Sequence, residues 1–322
     1  MNQIRSGLLL FLFLCAACAQ AQVFPSRPLK VTLAFGPGSG PDTFMRLIAD
    51  RMSRELEKPV VIDNRPGGSG IISMEAGKKA TPDGHELTLA DGGDLAINRH
   101  AFRKIPYDPV QDFVPIIVVW RVTFFLIVSS RLPFQSAKDI VEHAKARPGE
   151  LSYASFGVAH TTRLAMEQFN AAAGGLQMIH VPFRDSTQLV AAVSNGDVSM
   201  VMTSAATATA GLQTGHMRLV AVGSLARLAT HPNVPTFAES GGPNIEAKAW
   251  VGLVAPRGTP REAILKLNAT VQKVLADPQI QERLAVAGLQ AGGGSPEDFA
   301  ALIRAEDERY GAAVRALKIQ LD

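Results

Sequence analysis

Hydrophobic residues along the chain alternate between short runs rich in β-branched side chains and longer stretches in which apolar positions recur every three or four residues. The short runs predict strands, and the longer stretches predict amphipathic helices. The first part of the chain gives the strands LKVTLAF, PVVIDN and HELTLAD, with helices at about 41–56 and 71–79 between them. This βαβ order favours a parallel sheet that is covered by helices.

A second set of the same kind begins near Phe124. Its predicted strands are 124–128, LSYAS, MIHVPF, VSMVMT and LVAVGS, and its predicted helices are 137–146, 162–172 and 187–195. The tail adds helices at about 260–276 and 296–317, joined by a short helix and the segment AGGGS. Because no long linker separates the two sets, we expect two α/β lobes that share crossing strands near 117–128 and 249–255 and hinge over a cleft.

The N-terminus has the pattern of a secretory signal peptide. Residues 1–21 contain the early cation Arg5, an unbroken apolar stretch and the small-residue motif AQA at their end. Cleavage after Ala21 would remove both cysteines of the chain, Cys15 and Cys18, and leave a periplasmic protein without a disulfide. The alternative is a lipoprotein anchored through Cys18, which is less favoured because the aliphatic residue usual three positions before such a cysteine is missing.

Composition excludes several classes of function. A mature chain of about 300 residues exceeds the usual size of one domain, and 47% hydrophobic with 19% charged residues is ordinary for a globular protein. The formal net charge is only +3, and no basic run is interleaved with aromatic residues, so nothing favours nucleic acid or a membrane surface as a partner.

The turn GPGSGPD after the first strand is the first candidate site. It lacks the lysine and hydroxyl residue of a phosphate-binding P-loop, and its glycine spacing is not that of a dinucleotide site. No Gly-x-Ser-x-Gly nucleophile elbow occurs, and no two of the seven histidines have a metal-ligand spacing. We therefore expect no catalytic residue and no metal.

Such a turn still offers backbone N–H groups and the positive end of a helix dipole, which bind a carboxylate as readily as a phosphate. The same arrangement recurs at Asp91-Gly92-Gly93-Asp94 and at Ser155–Thr162. If both lobes direct these loops at one crevice, they would hold a small anion or polar acid from two sides. Glycine turns are also routine in α/β folds. Asp42, Asp91, Asp94 and Asp112 could supply a carboxylate pair, but Asp42 and Asp94 are equally good N-cap or turn residues.

A series of collinear motifs extends over nearly the whole mature chain. They are FPSRPLKVTLAFGPGSGPD, PVVIDNRPGGSGI, TPDGHELTLADGGDLAIN, IPYDPVQDFVPI, RPGELSYASFG, IHVPFRDSTQLVAAVSNGDVSMVM, HPNVPTFAESG and WVGLVAPRGTP. In these motifs the chain resembles the Bug-type solute receptors, the substrate-binding proteins of tripartite tricarboxylate transporters.

The resemblance implies a two-lobed periplasmic-binding-protein fold, type II like, in which each lobe is a mixed, mostly parallel sheet flanked by helices and two hinge strands cross between them. The lobes are expected at 22–124 plus 249–322 and at 125–248. The receptor would be a monomer and no enzyme, and it would need no cofactor. It would close on a small carboxylated solute and deliver it to a membrane permease, with signalling through a sensor kinase as an alternative and a periplasmic enzyme on the same fold as a third.

The resemblance also implies that three loops form the pocket, namely those at 35–42, 91–94 and 155–162. The ligand-binding residues expected from these loops and their surroundings are Phe35, Gly38, Ser39, Gly40, Asp42, Asp91, Gly92, Asp94, Phe156, Gly157, His160, Thr161, Phe183 and Thr203. The three phenylalanines would wall an apolar part of the solute, although core packing explains each equally well.

The loops depart from the family pattern where the ligand should lie. Asp91 and Asp94 replace small polar residues, and Asp185 stands where a glycine is usual. Two additional carboxylates would repel an anion but attract a basic nitrogen. Our hypothesis is a ligand that carries a carboxylate together with a basic nitrogen or a neutral amide, with Asp91 against the nitrogen and the amides of 38–40 against the acid. The alternative is that both aspartates only cap the following turn. A cation at the helix start shared by His160 and Arg163 could pair a second carboxylate of the ligand, but an arginine in solvent is the more common outcome and is expected for Arg163.

Overall fold

The computed structural model describes residues 24–183 and 186–321. The predicted signal peptide at 1–21, including Cys18, lies outside the described residues, and so does Asp185. In the described part of the chain, the strands assemble into two sheets.

The first sheet contains strands from both ends of the chain, in the order β11-β4-β10-β3-β1-β2. These strands are β1 (Leu29–Leu33), β2 (Val60–Asn64), β3 (Glu86–Asp91), β4 (Phe113–Thr123), β10 (Lys248–Pro256) and β11 (Leu289–Gly293). Its helices are α1 (Gly40–Leu56), α2 (Ile71–Lys78), α3 (Asn98–Ala101), α8 (Arg261–Leu275), α9 (Pro278–Val286) and α10 (Pro296–Ala316). A 3₁₀ turn at Gly68–Gly70 and a π-helical turn at Gly93–Ile97 complete this lobe.

The second sheet is built from the middle of the chain, in the order β7-β6-β8-β5-β9. The strands are β5 (Phe125–Ser129), β6 (Ser152–Ser155), β7 (Ile179–Pro182), β8 (Met200–Thr203) and β9 (Met217–Val222). The helices of this lobe are α4 (Ala137–Ala146), α5 (Thr161–Ala172), α6 (Ser186–Asn195) and α7 (Thr209–Gln213).

Both sheets carry helices on both faces, as the apolar runs of the sequence predict. In the first lobe, α1, α8 and α9 pack on one face, and α2 and α10 pack on the other. In the second lobe, α4 and α5 cover one face, and α6 and α7 cover the other. Each lobe is therefore a three-layer αβα sandwich.

The helices begin where the sequence supplies caps. Ser39 accepts a hydrogen bond from the Asp42 N–H at the start of α1, and Pro41 occupies the first turn, where its missing N–H has no consequence. Reciprocal capping boxes, in which a serine and an aspartate each bond the other's backbone, start α4 and α10.

The chain passes between the lobes at a short hydrogen-bonded crossing. Phe124 separates β4 from β5; its N–H donates to the Ala247 carbonyl at 2.9 Å, and its carbonyl accepts from the Gly223 N–H at 2.8 Å. The Ala247 N–H in turn donates to the Gly223 carbonyl at 2.9 Å. A Cβ at Gly223 would lie 2.6 Å from Cβ of Ala247, so only glycine lets the two segments approach this closely.

The sheets are mixed, as expected, but their strand directions differ in part from the prediction. β1 runs parallel to β2 and β3, and β6 runs parallel to β7 and β8, as the βαβ order predicts. However, β10 is antiparallel to β3 and β4, β11 is antiparallel to β4, and β5 is antiparallel to β8 and β9. Parallel strand pairs are therefore not the majority in the described sheets. Strands that cross between the lobes enter each sheet directly, without the crossover helix that makes consecutive strands parallel.

Two further differences from the prediction concern strands. The segment around AGGGS, expected only as a connection, includes the edge strand β11, because the backbone of Gly292 can lie directly against the Val118 carbonyl. The single predicted crossing strand at 117–128 is two strands, β4 and β5, that belong to different sheets.

Gly252, in the middle of β10, provides a test of packing at the centre of the first lobe. A Cβ built there would lie 2.3 Å from Cζ of the buried Phe299 and 2.9 Å from the Ile117 carbonyl oxygen. We expect Gly252→Ala to lower the free energy of unfolding by about 1–3 kcal/mol through overpacking. Urea denaturation would measure this, with Gly36→Ala as the control, since nothing lies within 4 Å of a Cβ at Gly36. Equal stability of the two variants would contradict this packing.

Candidate functional site

The loop after β1 is held together by the buried side chain of Asp42. Its carboxylate accepts hydrogen bonds from the Gly38 N–H at 2.8 Å, from Nδ2 of Asn64 at 2.8 Å and from Nε of Arg46 at 3.0 Å. Burial alone would raise the pKa of Asp42, but the hydrogen bonds from Arg46 and Asn64 outweigh it and hold that pKa below its usual value. Asp42 is therefore a structural anchor of the loop.

This arrangement decides which amides of the loop can contact a ligand. The Gly38 N–H is engaged by Asp42, and the Ser39 N–H donates to the Gly36 carbonyl at 3.2 Å. Gly40 is the first residue of α1, where an N–H has no acceptor within the helix. The amides of Gly38, Ser39 and Gly40 were all expected to face an acid. Those of Gly38 and Ser39 have acceptors within the loop, which corrects the expectation for these two. The Gly40 amide is still placed to bind an acid.

The loop after β3 uses both of its aspartates internally. Oδ1 of Asp91 accepts from the N–H groups of Gly93 at 2.7 Å and Asp94 at 3.1 Å, and this caps the π-helical turn. Asp94 is only 3% exposed, and its Oδ2 accepts from the Asp91 N–H at 3.1 Å. Its Oδ1 lies beneath Gly70, where a Cβ would come within 1.7 Å, so Gly70 leaves room for this carboxyl.

The burial of Asp94 affects its protonation. Burial first, and the nearby Asp91 carboxylate second, raise the pKa of Asp94 well above its usual range, which favours its protonated form. Oδ2 of Asp91 faces the second lobe, and the Asp91 side chain is 16% exposed. The loop thus presents one carboxylate to the space between the lobes, whereas the sequence suggested two.

The loop of the second lobe ends with His160 as the N-cap of α5. Nδ1 of His160 accepts from the Thr162 N–H at 3.2 Å and lies 2.9 Å from Oγ1 of Thr162. Burial lowers the pKa of His160 and outweighs the opposite effect of Asp91, so the neutral imidazole is favoured. The ring of Phe156 packs edge-on against His160 with centroids 5.5 Å apart. Gly157 has φ +135°, which a residue with a side chain rarely adopts.

A buried polar cluster supports this loop from below. Arg163 donates to the Val158 carbonyl at 3.1 Å, and its Nε lies 3.8 Å from Glu167. Its side chain is 15% exposed, so the expectation that Arg163 points into solvent was wrong: the loop carbonyl and Glu167 draw the guanidinium inward. Glu167 also accepts from the Tyr153 hydroxyl.

His180 links this cluster to the loop backbone. Its Nε2 lies 2.6 Å from Oγ of Ser155, which also bonds the N–H and the carbonyl of Gly157. Burial first, and Arg163 second, lower the pKa of His180 to about 4, so it is neutral in the physiological range. Ser155 is fully buried, which leaves its hydroxyl a structural role.

The loops of the two lobes meet. A Cβ at Gly92 would lie 3.4 Å from Cγ2 of Thr161, and one at Gly93 would lie 3.8 Å from the Ala159 carbonyl oxygen. Nε2 of His160 lies 4.0 Å from Oδ2 of Asp91. An apolar cluster joins the lobes beside this contact; its buried members are Ala96, Ile97, Ala101, Ala159, Leu164, Tyr310, Val314 and Ile319.

The remaining predicted residues lie farther from this contact or face a lobe's own core. Phe35 packs against the first core, and its carbonyl accepts from Asn64 at 2.9 Å. Phe183 follows β7 and donates its N–H to the Ser155 carbonyl at 2.8 Å. Thr203 ends β8 opposite Phe125 and is 2% exposed. Among the predicted residues, the structure thus brings together Asp91, Gly92, His160, Thr161 and Phe156.

Two aromatic residues at the contact were not expected. Trp250 on β10 and Tyr310 on α10 both approach Gly92, with ring atoms 3.8 Å and 3.5 Å from a Cβ built there. The Trp250 indole N–H is buried without a hydrogen-bond partner among the described residues. Trp250 opens the motif WVGLVAPRGTP, which could have drawn attention to it, whereas nothing in the amphipathic pattern of α10 distinguishes Tyr310 from a core residue.

The described residues give little indication of a metal site or of a membrane-spanning helix. No group of three or more histidine, cysteine, aspartate or glutamate residues there could hold a metal ion. None of the helices described is long and apolar enough to cross a membrane. A cavity of about 340 Å³ lies away from the loops, between the β4/β11 edge and the start of α10, and Arg121, Gly293 and Asp298 are among its lining residues.

Comparisons with known proteins agree with this picture. The family model described as "Tripartite tricarboxylate transporter family receptor" matches residues 44–319. A relative from Pseudomonas sp. (strain P51), the UPF0065 protein in the tcbD-tcbE intergenic region, is 34% identical over 311 residues, which cover 96% of this chain and 92% of the relative.

Solved structures match with similar completeness. The adipate-bound Rpa4515 of R. palustris has 33% identity and a TM-score of 0.86 over 92% of this chain and 100% of its own. The malate-bound MatC of Rhodopseudomonas palustris has 27% identity and a TM-score of 0.81 over 90% and 100%. The periplasmic binding protein BugD has 26% identity and a TM-score of 0.82 over 92% and 100%. The expected periplasmic-binding-protein fold with two lobes is confirmed.

Asp42 provides a test of how the first loop is anchored. We expect Asp42→Ala to lower the free energy of unfolding by about 2–3 kcal/mol at pH 7, because three donors lose a buried acceptor. Since the pKa of Asp42 is below its ordinary value of 3.8 in the folded protein, the carboxylate's contribution is complete above that value and is lost as the pH falls through the lower folded-state pKa. The difference from the wild type should therefore shrink below pH 3.8.

Urea denaturation of both proteins at several pH values would measure this difference. Asp50→Ala is the matched control, because the Asp50 side chain is 61% exposed and pairs with the exposed Arg54 on the same helix. A loss at Asp42 no larger than the loss at Asp50 would contradict the anchoring role.

Proposed function

The chain belongs to the tripartite tricarboxylate transporter receptor family, and on that premise we propose that it captures a small carboxylate-bearing or amide-bearing solute between its lobes. It is a solute-binding receptor of the Bug type. The observation that carries the ligand proposal is the meeting of two loops from different lobes, in which Asp91 and Gly92 face His160 and Thr161. A solute held there contacts both lobes at once.

The electrostatics of the cleft favour an acid at one end of the solute. Helices α1 and α5 both begin at cleft loops, and the first N–H groups of a helix carry partial positive charge without acceptors in the helix. The proteins bound to adipate and malate are similar to this chain over at least 90% of its length. A carboxylate held near the N–H of Gly40 is our proposal for this end.

The other end of the solute faces Asp91. One carboxylate oxygen that the turn leaves without an internal donor favours a basic nitrogen or a neutral amide over a second carboxylate. We assign contact with the solute to Gly40, Asp91, Gly92, Phe156, Gly157, His160 and Thr161, whereas Phe35, Phe183 and Thr203 pack in the cores of their own lobes. The role we assign to Gly38, Ser39, Asp42 and Asp94 is to hold the loops in place.

Binding and release require the lobes to move. We propose that they divide as 22–124 plus 249–322 and 125–248 and rotate about the crossing at Phe124, Gly223 and Ala247. The protein works as a monomer in the periplasm after removal of residues 1–21, passes its solute to a membrane permease of the tripartite tricarboxylate type, and leaves the solute chemically unchanged.

Thermal unfolding of refolded, ligand-stripped protein tests the solute class. The panel contains dicarboxylates including adipate and malate, tricarboxylates, amino acids, and pyridine carboxylates and amides, with matched diols as controls. A solute that binds only the folded state stabilises it by about 2.7 kcal/mol at a hundredfold excess over its Kd. We expect a raised midpoint with at least one acid of the panel, none with the diols, and recovery of the bound acid unchanged in mass.

Two outcomes would oppose the proposal. A panel without any shift would reject the small-acid class, and a change in the mass of the recovered solute would indicate an enzyme. Small-angle X-ray scattering with the solute that shifts the midpoint checks the hinge, because closure of the lobes lowers the radius of gyration.

A further inference from the structure

Asp91 and His160 present complementary hydrogen-bonding atoms across the cleft. Oδ1 of Asp91 is engaged by the N–H groups of Gly93 and Asp94, which leaves Oδ2 directed at the second lobe. The turn therefore fixes the carboxylate so that one oxygen is structural and the other faces His160. In the ionised form, that second oxygen can only accept hydrogen bonds.

The tautomer of His160 follows from its capping role. Nδ1 accepts from the Thr162 N–H, so it carries no proton. Oγ1 of Thr162 accepts from the Phe156 N–H at 3.2 Å and lies 2.9 Å from the same Nδ1, to which its hydroxyl can donate. A neutral imidazole with an unprotonated Nδ1 carries its proton on Nε2. His160 therefore presents a donor to Asp91 and the cleft.

The two atoms lie close together but are not hydrogen-bonded to each other, so a third group that lies beside both can bond to each of them. Nε2 and Oδ2 are 4.0 Å apart, which is longer than a hydrogen bond. The oxygen and nitrogen of a primary carboxamide are about 2.2 Å apart, given their bond lengths to the shared carbon. Such a group fits with its oxygen on Nε2–H and its N–H on Oδ2, one bond to each lobe.

Other end groups match the pair less well. A carboxylate could accept from His160 but would place its second oxygen against the Asp91 carboxylate. An ammonium group could pair with Asp91 but would direct N–H bonds at the Nε2–H of His160. The nearest cation of the second loop, Arg163, is engaged by the Val158 carbonyl and Glu167 and does not change this balance.

We propose that Asp91 and His160 form a subsite for a primary carboxamide, so that the preferred solute is an acid that carries an amide at its other end. This deepens the proposed function and rests on it. Of the two nitrogen-bearing groups considered above, a basic nitrogen and a neutral amide, the pair selects the amide, because only the amide offers an acceptor and a donor at the same time.

The test is a specificity switch in Asp91→Asn. The side-chain amide of this variant can keep its oxygen on the N–H groups of Gly93 and Asp94 and place its NH₂ group where Oδ2 of the aspartate was, so that two donors face the solute. The probes are matched sets on two carbon skeletons: adipate, adipamate and 6-aminohexanoate, and glutarate, glutaramate and 5-aminopentanoate. Calorimetric titration of each at neutral pH gives the Kd values.

We expect the wild type to bind the acid-amide at least about tenfold more tightly than the diacid or the amino acid of the same skeleton, and Asp91→Asn to reverse the order of amide and diacid. Asp139→Asn is the charge-matched control, because Asp139 caps α4 far from the loops, and it should keep the wild-type order. His160→Asn retains a capping residue without Nε2 and should weaken acid-amide binding about tenfold.

The outcomes separate this inference from the proposed function. If the acids bind but Asp91→Asn leaves the order unchanged, or the wild type prefers the diacid or the amino acid, the carboxamide subsite is rejected and the receptor for small acids stands. If no probe binds to the wild type, the carboxamide subsite is rejected, and the small-acid class is rejected with it if the wider thermal panel also gives no shift.

Discussion

The cleft is shaped by the requirement that buried polar groups find hydrogen-bond partners. Each of its loops is closed by a side chain that takes up backbone N–H groups: Asp42 after β1, Asp91 and Asp94 after β3, and His160 before α5. These internal hydrogen bonds decide which polar atoms of the loops remain available to a ligand. Asp42 engages the Gly38 amide, the Gly36 carbonyl engages the Ser39 amide, and Oδ2 of Asp91 and Nε2 of His160 are left facing each other.

The same requirement explains the charges at the site. Asp94 lies beneath Gly70 with no cation beside it in the described structure, so burial favours its neutral form. The side chain of Asp42 is also buried, yet Arg46 and Asn64 stabilise its charge. Arg163 is drawn under the second loop by a carbonyl and Glu167. The net result is one carboxylate and one neutral imidazole at the contact of the lobes.

Most of the helices and strands, and the family, could be predicted from the sequence. The helices at 40–56, 137–146 and 161–172 begin within one residue of the predicted positions, because their serine and histidine caps and proline signals are local. The strand order and the direction of β10 and β11 were not readable, since they depend on which segments cross between lobes. Arg163, Trp250 and Tyr310 were misjudged or missed because a side chain's direction depends on partners distant in the chain.

What the sequence determined by itself was the set of loops and the helix starts, since turn chemistry, capping and apolar periodicity act over a few residues. The receptor family was indicated separately, by the resemblance of the collinear motifs. The tertiary structure decided which of the predicted side chains meet. Asp91 and His160 are 69 positions apart in the chain, and only the crossing of the strands places them 4.0 Å from each other. Their burial and hydrogen-bond partners, and so their charge and tautomer, arise from that juxtaposition, which no local pattern encodes.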